Sequence, residues 1–93
     1  MNIIYNPDFE KKLIQIIDYI AKDKPLASLN FASNLEKLIF EIPTNPYKYR
    51  QSFYFDDKNI RDMIYKGYTI IYEINFQKNH IEILNIFNRN RPK

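Results

Sequence analysis

The spacing of the apolar residues changes about halfway along this chain, and that change constrains the fold more than any other feature. In the first half, apolar residues recur every three or four positions in two segments, which start at Pro7 and Pro25. From Gln51 onward the pattern changes to runs of β-branched and aromatic residues separated by short polar turns. The chain is therefore predicted to fold as two helices followed by an antiparallel sheet.

The two helices are predicted to form a hairpin. The first begins at Pro7 with Asn6 as its N-cap and ends at residue 22 or 23, and the second runs from Pro25 to just before Pro43. A linker of two or three residues forces them to lie antiparallel. Their apolar stripes consist of Phe9, Leu13, Ile16, Ile17 and Ile20 in the first helix and Phe31, Leu35, Leu38, Ile39 and Ile42 in the second.

Strands are predicted at residues 52–55, 60–65, 68–76 and 81–87, after a short apolar strand at residues 3–5. If Lys66 and Gly67 form a two-residue hairpin loop, Arg61 faces Tyr72 and points to the same side of the sheet as Met63. The predicted fold class is α+β, with the helix hairpin packed on one face of a three- to four-stranded antiparallel sheet. We expect the other face to stay uncovered and to carry guanidinium groups.

Composition excludes several classes of site. The 93 residues are predicted to form one domain, 1–93, and no apolar run is long enough to cross a membrane, so we expect a cytoplasmic protein. There is no cysteine and a single histidine, His80, which argues against a metal site, and no cofactor is expected. No Gly-rich phosphate loop, Ser/His/Asp set or HExxH pattern occurs.

The charge is unevenly distributed. Residues 1–42 hold five Lys against six acids, whereas residues 43–93 hold nine Lys and Arg against five acids. Such asymmetry favours an anionic partner, either nucleic acid or an acidic protein segment, although an ordinary solvated surface is the alternative. The candidate binding residues are cations interleaved with aromatic rings: Lys48, Arg50, Lys58, Arg61, Lys66, Arg89, Arg91 and Lys93.

Two of these candidates have structural alternatives. Arg61 lies in an apolar strand, so it either serves a site or is held by an ion pair or by stacking on Tyr72. The C-terminal cations are either functional or a solvated tail. Glu73 and Glu82 are considered as an acid–base pair, but we expect them on opposite faces of the sheet, where they would not meet one substrate.

The order of these features resembles the RelE/ParE toxin superfamily over nearly the whole chain. The anchors are the leading strand, Pro7-Asp8-Phe9, Pro25, Pro46 and Arg50, then Ile60-Arg61, the strand from Tyr68 to Ile74 and the strand from Ile81 to Phe87. Members are small cytoplasmic toxins, each neutralised by an antitoxin. The resemblance implies a cognate acidic antitoxin as partner, and no membrane or small-molecule cofactor.

The resemblance is closer to the ParE-like branch, which inhibits DNA gyrase, than to the RelE-like branch, which cuts mRNA in the ribosome. Thr69 stands where members commonly have Arg, Asn88 stands where many have His, and no Tyr follows Phe87. A binding role is favoured, and enzymatic activity is left open. The resemblance implies the following target-binding residues: Arg50, Arg61, Arg89, Arg91 and Lys93.

Two other functions remain open. In an mRNA endonuclease, Arg61, Arg89 and Arg91 would act on the scissile phosphate, and other cations would hold the flanking backbone. Those backbone-binding candidates are Lys48, Lys58 and Lys66. A protein- or RNA-binding module without toxicity would carry the same sequence features.

Overall fold

A computed structural model describes residues 1–88, in which two helices pack on one face of a five-stranded sheet. The chain order is β1 (Asn2–Tyr5), α1 (Pro7–Asp23), α2 (Pro25–Glu41), a 3-10 turn (Ile42–Thr44), β2 (Arg50–Gln51), β3 (Ile60–Tyr65), β4 (Tyr68–Asn75) and β5 (His80–Asn88). Arg89, Arg91 and Lys93 lie outside the described residues. The predicted α+β fold class is confirmed.

The helix hairpin forms as predicted. The side chain of Asn6 caps α1 by accepting a hydrogen bond of 2.9 Å from the backbone N–H of Asp8, and Pro7 occupies the first helical position. Only Lys24 separates α1 from α2, and its N–H donates to the carbonyl of Ile20 at the end of α1. Such a short linker leaves the helices side by side, so their apolar stripes face the sheet together.

The sheet differs from the predicted three- to four-stranded antiparallel arrangement. Its strand order is β1-β5-β4-β3-β2, and β1 pairs in parallel with β5, while the other pairs are antiparallel. The parallel pair arises because β1 leads into the helices and its partner comes last in the sequence, after a long connection. As a result, the C-terminal strand β5 lies inside the sheet between β1 and β4.

The β3–β4 hairpin has the predicted register. Tyr65 pairs with Tyr68 and Arg61 pairs with Tyr72, as expected for a two-residue loop. Both loop residues have positive φ, 49° at Lys66 and 84° at Gly67, which is the geometry that matches the twist of the flanking strands. The only glycine of the chain therefore stands where a left-handed backbone is required.

The predicted strand at residues 52–55 is wrong. The only strand between α2 and β3 is β2, which has two residues, and residues 52–55 form no strand. Two backbone N–H groups of this segment bond to side chains instead of to a neighbouring strand. The N–H of Tyr54 donates to Ser52 Oγ, and the N–H of Phe53 donates to the Asp62 carboxylate. The N–H of Ser52 still donates to the carbonyl of Ile60 at 2.8 Å, so the segment leaves the sheet edge after Ser52.

The core lies between the helices and one sheet face. Its fully buried side chains come from both helices, the 3-10 turn and three strands: Phe9, Leu35, Ile39, Ile42, Met63, Ile70, Tyr72, Ile74, Ile81, Ile83 and Ile86. The Tyr65 hydroxyl donates to the carbonyl of Phe31 at 2.9 Å, which joins β3 to α2 through a satisfied buried polar group. Burial of these side chains supplies the main driving force for folding.

Candidate functional site

Four of the predicted binding cations lie at one corner of the sheet. We define the cationic corner as Lys48, Arg50, Lys58 and Arg61. The pairing of β2 with β3 brings them together, since Arg50 lies opposite Asp62 and Gln51 lies opposite Arg61. Lys48 directly precedes this strand pair, and Lys58 lies in the connection between its strands.

The guanidinium of Arg61 is held by three backbone carbonyls. Its Nε donates to Tyr49 O at 2.8 Å, its Nη1 to Lys58 O at 2.9 Å and its Nη2 to Tyr47 O at 3.3 Å. The ring of Tyr47 lies against the same group, 5.1 Å from Cζ to the ring centroid. Arg61 thus ties two loops to the sheet, a structural role that differs from both the ion pair and the stacking on Tyr72 considered above.

Tyr72 fixes the same loop from the buried side. Its hydroxyl donates to Pro46 O at 2.6 Å, and its ring meets Tyr49 edge-on at 6.4 Å between centroids. Burial raises the pKa of Tyr72, and the nearby Arg61 charge only partly opposes that shift. The phenol therefore stays protonated at neutral pH and serves as a donor.

Arg50 and Asp62 form a salt bridge beneath the segment that follows β2. Arg50 Nη2 lies 3.5 Å from Asp62 Oδ2, the same oxygen that accepts the Phe53 N–H at 3.0 Å. The Phe53 ring covers the guanidinium, with 3.7 Å between Cζ and the centroid. Within residues 1–88, Arg50 Nε, Asp62 Oδ1 and Thr69 Oγ1 are buried without a hydrogen-bond partner. The buried polar atoms around Arg50 and Asp62 thus form only part of the hydrogen bonds of which they are capable.

Three consecutive aromatic residues are exposed beside this cluster. We call Phe53, Tyr54 and Phe55 the aromatic segment; their side chains are 74%, 52% and 46% exposed. Tyr54 meets Phe87 of β5 edge-on at 5.2 Å, so the segment lies over the sheet face opposite the helices. The aromatic composition of these residues predicts a strand, which the structure does not contain. A half-buried edge strand alternates apolar and polar side chains, and this segment does not. The lack of alternation was the signal in the sequence that argued against a strand.

Lys66, another predicted cation, lies at the opposite end of the sheet. Lys66 is in the β3–β4 turn, and Asn88, which precedes Arg89, pairs with Tyr68. The β4 partners of Asn88 and Arg61 are four residues apart, about 14 Å along the strand, and β3 and β5 flank β4, about 10 Å across. The described residues therefore do not bring Arg61 close to the end of β5.

The sheet face opposite the helices carries the Arg50 guanidinium as well as acids, and the aromatic segment covers part of it, contrary to our expectation of an uncovered face. Arg61 pairs with Tyr72 and so shares the helix-facing side with the core, whereas Asp62, Glu73 and Glu82 lie on the opposite side, where Asp62 is buried. Glu73 and Glu82 are directly opposite each other, so the prediction that they occupy opposite faces is wrong. Asn75 pairs with His80, so the β4–β5 loop has four residues, 76–79, and this length sets the pairing of Glu73 with Glu82. A register shift follows farther along, between Ile71 and Tyr72.

Glu82 has an amide partner on this face. Asn6 Nδ2 donates to Glu82 Oε2 at 3.0 Å, and no residue of 1–88 forms a salt bridge with either glutamate. Across residues 1–88, no three His, Cys, Asp or Glu side chains are grouped so as to hold a metal ion. No helix in this part of the chain is long and apolar enough to cross a bilayer.

Comparison with known structures supports the fold. A solved structure described as "Chromosomal ParDE TA system from P. aeruginosa" matches with a TM-score of 0.75, covering 95% of this chain and 95% of that chain. At 12% sequence identity, the likeness concerns the fold. A search of curated proteins gives no significant match.

The family is shown by a sequence model. The model described as "ParE toxin of type II toxin-antitoxin system, parDE" matches residues 3–92, which is nearly the whole chain. The resemblance seen in the order of sequence anchors is thereby confirmed, including its preference for the ParE-like branch. The chain belongs to the ParE toxin family of type II toxin-antitoxin systems.

Proposed function

We propose that this protein inhibits growth by binding DNA gyrase and that a cognate antitoxin neutralises it. Membership of the ParE family over residues 3–92 supports the toxin role. The choice of binding over RNA cleavage rests on one observation, the engagement of the Arg61 guanidinium by the carbonyls of Tyr47, Tyr49 and Lys58.

RNA cleavage requires cations that are free to stabilise a developing phosphorane and a group that moves the 2′-hydroxyl proton. Three N–H donors of Arg61 already form hydrogen bonds with backbone carbonyls of the protein itself. Tyr72, the buried phenol beside it, has a raised pKa and donates to Pro46 O, so it is a poor proton acceptor. These features support a surface that binds a target without cutting it.

The proposed target-binding surface combines the cationic corner with the aromatic segment. Lys48 and Lys58 are exposed, and the Phe53 ring extends from the Arg50 guanidinium into solvent. Exposed aromatic rings and arginine are the residues that most often carry the binding energy of protein interfaces. Arg89, Arg91 and Lys93 are proposed to contribute further contacts from the C-terminal end.

Expression of the protein in growing cells and a gyrase supercoiling assay with purified protein test this proposal together. We expect an SOS response with broken chromosomal DNA, and inhibition of supercoiling by the purified chain. Replacing the exposed Lys48 and Lys58 by Glu should weaken inhibition about tenfold, because rim charges mainly change the rate of encounter. A matched variant with Lys22 and Lys37 replaced by Glu carries the same charge change on the helices and should inhibit normally.

A second function, ribosome-dependent mRNA cleavage, is favoured by one observation. Lys48 follows Tyr47, whose ring is partly exposed, and Arg61 joins the carbonyls of Tyr47 and Lys58, so two exposed lysines lie near an aromatic ring, which suits a single-stranded RNA backbone with a stacked base. Rapid translation arrest with cut transcripts, and normal supercoiling by gyrase, would support this function and contradict the proposal. Absence of any growth defect would support a binding module without toxicity.

A further inference from the structure

The aromatic segment crosses the middle of the sheet face opposite the helices. Its first residue is tied to β3, because the Phe53 N–H donates to the Asp62 carboxylate at 3.0 Å. Its second residue reaches β5, where the Tyr54 ring meets the Phe87 ring edge-on at 5.2 Å. The strand β4 lies between β3 and β5, so the segment passes over β4.

Two residues of β4 form the floor beneath the aromatic segment. Thr69 pairs with Phe87 and Ile71 pairs with Asp62, so both side chains point to the face that the segment crosses. Thr69 is 0% exposed and Ile71 is 4% exposed. Because both helices pack on the other face, we attribute the burial of these two side chains to the aromatic segment.

Few bonds hold the segment in this position. Residues 53–56 form no backbone-to-backbone hydrogen bond within residues 1–88, and the Tyr54 N–H bonds locally, to Ser52 Oγ. One hydrogen bond, from Phe53 to Asp62, therefore joins this stretch to the sheet. The side chains of Phe53 and Tyr54 also remain more than half exposed. Detachment of the segment consequently breaks few contacts.

The two ends of the segment are fixed. On one side the Ser52 N–H donates to Ile60 O at 2.8 Å, and on the other the Ile74 N–H donates to Asn59 O at 2.8 Å. Residues 53–56 lie between these two attachments. The segment can therefore move away from the sheet while its ends stay in place, as a hinged loop does.

The position over the sheet also has an unfavourable side. Arg50 Nε, Asp62 Oδ1 and Thr69 Oγ1 are buried, and none of them has a hydrogen-bond partner within residues 1–88. A buried polar group without a protein partner is unfavourable, and movement of the segment admits water to such groups. Opening therefore replaces the contacts of the segment by hydration of these atoms, which brings the two forms closer in free energy.

We propose that the aromatic segment is a hinged cover that detaches from the sheet face as a unit, and that the target binds its closed form. In the open form Thr69 and Ile71 contact water, and the Phe53 ring leaves the Arg50 guanidinium, which lies 3.7 Å from it in the closed form. The second part rests on the proposed function, because the proposed target-binding surface needs the aromatic segment beside the cationic corner. A partner that binds only the closed form favours closure.

Labelling of a buried thiol tests the opening. The chain has no cysteine, so Thr69→Cys places a single thiol beneath the cover. Its control is Ile70→Cys at the next residue of β4, which is equally buried but belongs to the core under the helices. Without denaturant, a thiol reagent should modify Thr69→Cys about a hundredfold faster than Ile70→Cys. The first variant needs only the cover to open, whereas the second needs the core to unfold.

The stability of the variants does not produce this difference. Ile70→Cys removes core volume and so hastens its own labelling, which works against the expected result. Low concentrations of urea should accelerate labelling of Ile70→Cys steeply and that of Thr69→Cys little, because unfolding of the core exposes more surface than opening of the cover. Circular dichroism should show that each variant is folded.

Substitutions in the cover provide a second test. Tyr54→Ala removes the contact with Phe87, so in the Thr69→Cys chain it should speed labelling about tenfold. The matched control is Phe76→Ala, which removes an exposed aromatic ring outside the cover and should leave the rate unchanged. Equal labelling of Thr69→Cys and Ile70→Cys, with the same dependence on urea, would overturn the hinged cover.

Purified gyrase tests the second part of the proposal. At about ten times its dissociation constant, gyrase should slow labelling of Thr69→Cys about tenfold, as followed by mass spectrometry of the toxin chain. Unchanged labelling of a chain that still inhibits supercoiling would overturn the closed form as the one that binds. Failure of the proposed function is distinguishable, because supercoiling would then proceed normally while labelling without gyrase kept its expected rate.

Discussion

Arg61 shows how one side chain can be conspicuous in a sequence and yet serve the fold. A guanidinium in an apolar strand requires partners, and backbone carbonyls of two loops supply them. The sequence places Arg61 correctly on β3 and predicts its facing residue, Tyr72. It cannot reveal the carbonyl partners, because these depend on how residues 47–49 return to the sheet edge after α2.

Replacement of Arg61 tests this structural role. Arg61→Ala should lower the free energy of unfolding by about 2–4 kcal/mol, because three carbonyls lose a charged donor. Arg61→Lys should recover only part of that loss, since an ammonium group lacks the planar fork that reaches all three carbonyls. Urea denaturation measures both variants. The control is Lys58→Ala, which should be nearly neutral because Lys58 contributes its carbonyl and not its side chain; equal stability of Arg61→Ala and Lys58→Ala would contradict the role.

Asp62 is a second residue whose importance the sequence did not indicate. Its carboxylate is buried and holds both the Arg50 guanidinium and the Phe53 N–H. Asp62→Asn should cost about 1–3 kcal/mol of stability, since the charge is lost while the shape is kept. Thermal denaturation measures the cost, and the exposed Asp56→Asn is the comparison. If both variants melted together, the buried pair would have no net stabilising effect.

At the scale of elements, the long periodic segments were predictable and the short irregular ones were not. Both helices, β3, β4 and β5 follow from apolar spacing, with ends that differ by a residue or two. The strand β2 has two residues, too few to show any periodic spacing of apolar residues. The aromatic segment has the composition of a strand, but its backbone N–H groups bond to side chains and not to the sheet edge. The four-residue length of the β4–β5 loop, residues 76–79, places Glu82 opposite Glu73, and apolar spacing does not determine that length.

The β3–β4 turn offers a test in which two neighbouring residues should respond in opposite directions. Gly67→Ala should destabilise the fold by about 1 kcal/mol, because alanine resists the positive φ that this position requires. Lys66→Gly should be neutral or slightly stabilising, since it removes a side chain from a left-handed residue. Chemical denaturation of both variants provides the measurement. Destabilisation by Lys66→Gly that equals that of Gly67→Ala would argue against the turn geometry.

At the scale of the whole molecule, the buried tyrosines predict how stability changes with pH. Burial raises the pKa of Tyr72 and Tyr65, and burial with two nearby acids raises that of Tyr5. An unfolded tyrosine has a pKa of about 10, so at lower pH these phenols are neutral in both the folded and the unfolded chain. Above it the unfolded chain releases protons that the folded chain retains, so stability should fall as pH rises.

Unfolding by denaturant at a series of alkaline pH values measures this slope. The Tyr72→Phe variant should show a shallower decline above about pH 10, because it lacks the most strongly shifted phenol. Tyr19→Phe, which changes an exposed tyrosine, should follow the wild type. A stability that stayed constant through this range would contradict the raised pKa values.

The charge distribution predicts how the complex with an acidic antitoxin responds to salt. Its affinity should decline as salt rises, though less than for a purely electrostatic complex, because apolar residues of the helix pair would also be covered. The double variant Arg89→Ala/Arg91→Ala should bind more weakly, and Lys11→Ala/Lys22→Ala should change little. Calorimetric titration at low and high salt checks both. Unchanged affinity in salt and in the arginine variant would exclude a contribution from the C-terminal cations.

The interior position of β5 has a consequence for synthesis of the protein. Because the last strand separates β1 from β4, the sheet cannot be completed while that strand is still inside the ribosomal exit tunnel. The nascent chain therefore completes its sheet only after β5 has left the tunnel. Any partner that recognises the finished sheet can therefore bind only after β5 has emerged.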